Sequence, residues 1–121
     1  MHHIQKLQLA FEQVPQVSFR VRLTAEAEGD LDRLFDFVVE RELQHDGGDL
    51  ELAERALAAI RSGFATLKAS PFTCRKAAQS PFLRELVTPF GHSGYVALFE
   101  IEGAGDVVVI AVRHQLEDNY H

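Results

Sequence analysis

Three residues in the second half of the chain could move a proton or hold a phosphate group. Imidazole titrates near neutral pH, so His114 could serve as a general base or a general acid. Tyr95 is a second candidate for proton transfer, and Arg84 could stabilise developing negative charge. Each also has a structural interpretation. His114 could end a strand and bind the backbone or a nearby carboxylate, and Tyr95 could start a strand as a packing aromatic. Arg84 could pair with a carboxylate, for which the candidates are Glu100, Glu102 and Asp118.

Positive charge around these residues is sparse. Arg75 and Lys76 are adjacent, so on a strand their side chains face opposite ways. The residues predicted to bind the target are Arg75, Lys76, Arg84, Arg113 and Tyr120. The chain carries 12 Lys and Arg against 18 Asp and Glu, a formal net charge of −6, and residues 25–68 hold eleven of the acids. This balance argues against a surface that grips phosphate backbones, which requires Lys and Arg in excess.

Other chemistries find little support in the spacing of residues. The six histidines show no i, i+4 pair and no accompanying cysteine spacing, so the sequence predicts no metal site and no cofactor. The glycines of the C-terminal half lack the lysine and helix start of a phosphate loop and are typical of hairpin turns. The sequence shows no nucleophile elbow of the kind that Ser-His-Asp catalysis requires. Cys74 is the single cysteine, so an internal disulfide is excluded, and a buried structural thiol is the usual outcome for such a residue.

The first half of the chain is predicted to form one strand and two helices. From Val17 to Leu23 apolar residues alternate with polar ones, which indicates a half-buried strand. Thr24 is a plausible N-cap for a helix that extends to about Gln44. A glycine turn follows this helix and leads to a second helix that begins at Asp49. The apolar residues of the second helix recur at helical spacing and are interpreted as core. They are Leu50, Ala53, Leu57, Ile60, Phe64 and Leu67.

The remainder is predicted to be a sheet. Residues 72–77 are ambiguous, whereas 82–88 and 95–102 alternate and 107–112 form an unbroken apolar run typical of a strand covered on both faces. The order is one strand, an αα-hairpin, then three or four mainly antiparallel strands. We therefore predict an α+β fold with the helices on one face of the sheet.

Length and composition favour one small domain. With 121 residues, 46% of them hydrophobic, the chain can bury a core without disulfides or metals. We assign residues 17–121 to a single domain and residues 1–16 to an N-terminal arm. No signal peptide and no apolar run of membrane-spanning length is found, so a cytoplasmic location without membrane contact is expected.

Several segments together resemble the RelE/ParE superfamily of toxins from bacterial type II toxin-antitoxin, or plasmid stabilisation, systems. They are VRLTAEAEGDLDRLFDFV at 21–38, Ser70-Pro71-Phe72, the strand Leu83-Arg84-Glu85-Leu86-Val87, Gly94-Tyr95 and the ending VVVIAVRHQLEDNY at 107–120. The resemblance covers Ser18 to Tyr120, and the tail is more similar to the ParE side. It departs from the family at Leu116, where a basic residue is more usual.

The resemblance implies a toxin that a cognate antitoxin neutralises. The toxin would form either a homodimer or a hetero-oligomer with this antitoxin. Relatives of the ParE type bind DNA gyrase, which would require no catalytic residue. Relatives of the RelE type cleave mRNA on the ribosome, which here would use His114, Arg84 and Tyr95. A relative that binds its antitoxin but has lost toxicity is a third interpretation. We favour the gyrase inhibitor and leave open whether the protein is an enzyme.

Overall fold

The computed structural model describes residues 18–117 and has an α+β architecture. Its elements are, in chain order, β1 (Arg20–Leu23), α1 (Ala25–Leu43), α2 (Leu52–Thr66), a 3₁₀ turn (Pro71–Thr73), β2 (Arg75–Lys76), β3 (Leu83–Phe90), β4 (Ser93–Glu102) and β5 (Asp106–His114). The predicted fold class is confirmed. The arm at 1–16, together with Val17, Asp118 and Tyr120, lies outside the described residues. No helix within 18–117 is both long and apolar enough to cross a bilayer.

The five strands form one mixed sheet in the order β1-β5-β4-β3-β2. The three pairs formed by β2 to β5 are antiparallel, whereas β1 lies parallel to β5, with Arg20 opposite Asp106. The first strand is therefore the neighbour of the last one. This pairing places the start of the described chain beside the β4–β5 hairpin, where the backbone N–H of Arg20 donates to the carbonyl of Gly105 at 2.7 Å.

The helical hairpin covers one face of the sheet, which we call the helix face. Thr24 is the N-cap of α1, as predicted: its hydroxyl accepts from the Ala27 N–H at 3.1 Å and donates to the carbonyl of Ile110 at 3.0 Å. The cap thus ties the start of α1 to β5. The buried core between the layers combines residues of both helices with those of β4 and β5, among them Leu31, Leu34, Ile60, Phe64, Phe99, Val107 and Val109.

The second helix starts later than predicted. It begins at Leu52 instead of Asp49, because the Asp49 carboxylate accepts from the backbone N–H of Glu51 at 3.0 Å and also binds Arg55, which holds residues 49–51 in a turn. Leu50, assigned to the core stripe, is consequently 53% exposed. The turn also requires a glycine at Gly48, since a Cβ there would collide with the Glu42 carbonyl.

Candidate functional site

Tyr95 and His114 meet at one end of the sheet. They stand directly opposite each other on β4 and β5, with ring centroids 5.5 Å apart and ring planes at 87°. Side chains opposite each other on neighbouring strands share a face, and here it is the helix face. Gly94 allows the tight pairing at this end, because a Cβ on it would collide with the backbone of Thr88 and Pro89. Two of the three predicted catalytic residues are therefore brought together.

Both ring nitrogens of His114 are held by hydrogen bonds within the protein. Nε2 lies 2.9 Å from Ser93 Oγ, and Nδ1 accepts from the backbone N–H of Leu116 at 3.2 Å. An Nδ1 that accepts carries no proton, so these contacts fit the tautomer that donates from Nε2 to the serine hydroxyl. The arrangement agrees with the structural interpretation of this residue, as the histidine that fixes the backbone just after β5.

Tyr95 is only 6% exposed and packs between His114 and Phe90, whose ring centroid is 6.2 Å away. Burial raises the pKa of the Tyr95 phenol above its ordinary value, because the phenolate would lose its hydration; the positive charge of Arg41 opposes this more weakly. A phenol that is harder to ionise is a poorer general base near neutral pH. Tyr95 accordingly fits the packing role better than a proton-transfer role.

A groove runs between α1 and the end of β5, and Tyr95 and His114 form part of its floor. It encloses about 390 Å³. We call it the α1–β5 groove; its lining residues are Arg33, Leu34, Phe37, Val38, Arg41, Tyr95, His114, Leu116 and Glu117. Its rims are two exposed apolar side chains, since Phe37 is 60% and Leu116 is 78% exposed. Large apolar side chains beside a groove are typical of a surface that binds a partner.

The charged groups of the groove are already paired with one another or with neighbours. Arg33 contacts Glu117 at 3.3 Å and lies 3.9 Å from the buried Asp30. The Glu117 carboxylate also accepts from the backbone N–H of His114 at 2.8 Å, so it joins the tail to α1. On the same helix, Arg41 contacts Glu42 at 3.2 Å. These pairs leave the groove with an apolar character and with little net charge.

Arg84 lies far from this groove. It stands opposite Phe99 on β4, whereas Tyr95 stands opposite Thr88, which is four residues further along β3 and hence roughly 13 Å away. The guanidinium is buried and donates to the carbonyls of Pro81 at 2.7 Å, Cys74 at 2.7 Å and Phe72 at 3.0 Å. It forms no ion pair with Glu100 or Glu102, contrary to one interpretation of the sequence, because backbone carbonyls surround it.

Arg113 and Arg75 lie on the opposite face of the sheet. The Arg113 side chain is 14% exposed, and its Nη1 donates to three carbonyls of the chain just after it, those of His114 and Gln115 at 3.3 Å and of Glu117 at 2.7 Å. Glu85 lies between the two cations, 3.0 Å from Arg75 and 3.9 Å from Arg113. Arg113 therefore anchors the tail.

The predicted target-binding residues consequently form no common surface. Lys76 is exposed on the helix face near Arg84, Arg75 and Arg113 share the other face, and Tyr120 lies outside the described residues. Sequence reasoning missed the groove residues Arg33, Phe37, Arg41 and Glu117. One signal was available: Phe37 is a large apolar residue of α1 that lies off the buried positions of this helix.

Neither a reactive thiol nor a metal site is found in the part of the chain that the structure describes. Burial raises the pKa of the Cys74 thiol, and the nearby positive charge of Arg84 lowers it less, so the thiolate is disfavoured. Within residues 18–117, no three His, Cys, Asp or Glu side chains converge where they could hold a metal ion.

Comparison with known proteins agrees with this architecture. The sequence profile of the family described as "ParE toxin of type II toxin-antitoxin system, parDE" matches residues 21–119. Among solved structures, the fold is similar to that of the chromosomal ParDE toxin-antitoxin system from P. aeruginosa, with a TM-score of 0.63 and 19% sequence identity. That match covers 80% of this chain and 96% of the other chain, and at this identity it bears on the fold alone. A search of curated proteins finds no match.

The family profile defines the class of the protein as a toxin of a type II toxin-antitoxin system, and the helical hairpin on one face of a small mixed sheet is similar in fold to a ParDE system. Because the family profile spans nearly all of the described residues, the chain belongs to the ParE toxin family. The resemblance inferred from the sequence is confirmed. Toxins of this family pair with a cognate antitoxin.

Proposed function

We propose that this protein is a toxin that inhibits DNA gyrase by protein–protein contact and catalyses no reaction. Membership of the ParE toxin family makes it a toxin, and the acidic charge balance suits a protein partner better than a nucleic acid. The expected compartment is the cytoplasm. An antitoxin that covers the helical hairpin and the adjoining sheet would suppress this action, with a basic stretch facing the acidic residues of the hairpin.

The observation that carries the proposal is the state of the polar groups in the α1–β5 groove. The two ring nitrogens of His114 are held within the protein, and Arg33 and Arg41 are paired with carboxylates. What the groove offers a partner is mainly its apolar surface, with Phe37 and Leu116 at the rims. Such a surface is suited to bind a macromolecule by burial of apolar area, and less to move protons.

A ribosome-dependent endoribonuclease is the second candidate, and the contact between Tyr95 and His114 favours it. These two side chains would have to supply the general base and the general acid. Arg84 is too far from these two residues to stabilise charge on the same phosphate group, because roughly 13 Å along the strand separate them. The nearer cation would be Arg41, which is engaged with Glu42.

The deciding experiment assays the purified full-length protein side by side on gyrase supercoiling and on ribosome-bound mRNA. We expect supercoiling to be inhibited while the mRNA stays intact. Codon-phased cleavage of the mRNA, with supercoiling unaffected, would overturn the proposal in favour of the enzyme. Activity in neither assay, and no effect on growth, would indicate a relative that has lost its toxicity.

Two variants separate contact from catalysis at the same groove. In Phe37→Ala a half-exposed rim side chain is truncated, and we expect inhibition of supercoiling to weaken about tenfold, because side chains that fill an interface carry much of its binding energy. His114→Ala should weaken inhibition by less than that. An endoribonuclease would show the reverse order, since loss of a general acid or base costs about 10²-fold or more. Circular dichroism should confirm that both variants fold.

A further inference from the structure

The ring of His114 makes a contact that depends on its state of protonation. Nδ1 lies 3.2 Å from the backbone nitrogen of Leu116 and accepts from the N–H there. A backbone N–H can only donate, so the ring nitrogen that accepts from it must present a lone pair. When an imidazole takes up a proton, both of its ring nitrogens carry hydrogen and both can only donate. Protonation of His114 would therefore place two donors against each other at Leu116.

The other ring nitrogen keeps its contact in either state. Nε2 lies 2.9 Å from Ser93 Oγ, and a hydroxyl oxygen can accept a hydrogen bond as well as donate one. Because Nε2 already carries the proton of the tautomer that these contacts fit, a further proton can be added only at Nδ1. The contacts with Ser93 and with the ring of Tyr95 hold the imidazole in place while the contact with Leu116 is lost.

The neighbouring amides of the tail do not depend on this ring nitrogen. The N–H of Gln115 donates to the carbonyl of Gly94 at 2.8 Å, and the N–H of Glu117 donates to the carbonyl of His114 at 3.0 Å. Both bonds use backbone carbonyls, which do not titrate. Of these three successive amides, that of Leu116 alone is bound to the imidazole, and the Leu116 side chain forms one rim of the α1–β5 groove.

We propose that His114 is a pH-sensitive switch that sets the Leu116 rim of the α1–β5 groove. While Nδ1 presents its lone pair, the Leu116 amide is held and the rim is fixed. When Nδ1 takes up a proton, the Leu116 amide is released and the rim moves, whereas the sheet and the rest of the tail stay folded. Imidazole is the side chain whose ordinary titration falls in the physiological range. The apolar surface that the groove offers a partner therefore changes with pH.

Other charged and titratable groups approach His114 from the elements around it. They are Arg33 and Arg41 of α1, Tyr95 of β4, Arg113 of β5, Glu117 of the tail and the exposed His92 between β3 and β4. Arginine side chains are not deprotonated in proteins, and burial raises the pKa of Tyr95 above its ordinary 10.0. The members of this set that can change charge on acidification are therefore His114, Glu117 and His92, and each can be substituted separately.

Amide exchange of the full-length protein, measured by NMR from about pH 8 to pH 5, reports the switch residue by residue. We expect the protection factor of the Leu116 amide to fall about tenfold as the pH is lowered, which is the size expected for one hydrogen bond. The protection factors of the Gln115 and Glu117 amides should stay unchanged. The midpoint of the fall should coincide with that of the His114 ring signals, which titrate in the same samples.

His114→Asn is the matched variant. The Asn side-chain oxygen can take the place of Nδ1 and accept from the Leu116 amide, but it does not titrate. Protection of that amide should then be independent of pH. In Glu117→Gln and in His92→Gln, which remove the other two groups that can change charge, the pH dependence should remain.

A constant protection factor of the Leu116 amide in the wild type would overturn the proposal. A midpoint that differs from that of the His114 ring would do the same, and this comparison needs no variant, so it stands even if His114→Asn fails to fold. Persistence of the pH dependence in His114→Asn, or its loss in Glu117→Gln or His92→Gln, would assign the change to another group. A fall shared by Gln115 and Glu117 would show release of the whole tail. None of these measurements involves gyrase, so the two proposals fail separately.

Discussion

At the scale of single residues, Arg84 shows how a side chain with catalytic potential can be used for structure. Its Nε and Nη1 groups serve three backbone carbonyls of the segment between α2 and β3, a stretch whose described regular structure is a 3₁₀ turn and a two-residue strand. A segment with so few ladder hydrogen bonds needs another source of donors. Arg84 supplies them and supports Phe72 from one side.

Arg84→Ala should therefore lower the free energy of unfolding by on the order of 3 kcal/mol, because three partly buried carbonyls lose their charged donor at once. Lys76→Ala is the matched control. Lys76 stands opposite Arg84 across the β2–β3 pair, yet it is exposed, and its removal should cost less than about 0.5 kcal/mol. Urea unfolding monitored by circular dichroism measures both values. Equal effects of the two substitutions would contradict the structural role of Arg84.

At the scale of elements, the tail after β5 is held from both faces of the sheet. From one face, Arg113 donates to the tail carbonyls of Gln115 and Glu117 and to the carbonyl of His114 at the end of β5. On the helix face, His114 Nδ1 accepts from the Leu116 N–H, and the Glu117 carboxylate accepts from the backbone N–H of His114. The tail supplies the Leu116 rim of the α1–β5 groove and the carboxylate that contacts Arg33. The groove therefore depends on Arg113, although this residue does not line it.

Arg113→Ala should loosen the tail without unfolding the sheet. We expect hydrogen exchange of the amides of Gln115, Leu116 and Glu117 to accelerate about tenfold, which corresponds to ~1.4 kcal/mol, while the amides of β5 up to Val112 keep their protection. Arg75→Ala, which removes the other cation beside Glu85, is the control and should leave the tail amides unchanged. Acceleration throughout β5 would instead show that Arg113 stabilises the whole strand.

At the scale of the whole molecule, alkaline pH should destabilise the fold. Burial raises the pKa of Tyr95 above its ordinary 10.0 and that of Cys74 above its ordinary 9.0. The unfolded chain therefore loses these protons first and binds fewer of them than the folded protein. Stability from this source is complete below the ordinary pKa values and decreases as the pH rises through the folded ones.

The Tyr95→Phe protein should lose less stability than the wild type as the pH is raised past 10, since its buried ring has no proton to release. Urea unfolding midpoints at a series of pH values from about 8 to 11 measure this difference. A Cys74→Ala variant identifies the part of the alkaline loss of stability that begins near pH 9. Parallel pH profiles of the wild type and the Tyr95 variant would rule out Tyr95 as a source of the alkaline loss.

The sequence by itself determined the class of fold, because local patterns carry that information. Alternation predicts strands, a spacing of three and four residues predicts helices, and Thr24 marks the start of α1 through its own hydroxyl. The start of α2 was missed because the side chain of Asp49 favours a turn over a helix, and periodicity alone does not report that competition.

The arrangement of the site was decided by the tertiary structure alone. Strand register placed Tyr95 against His114 and kept Arg84 roughly 13 Å away along β3, and strand alternation sent Arg113 to the face opposite His114. Burial of Arg84 and the presence of Phe37 and Leu116 at one groove depend on the proximity of residues ten or more positions apart. A sequence lists the residue types available for chemistry, but distance and solvation determine their use, and both are properties of the folded chain.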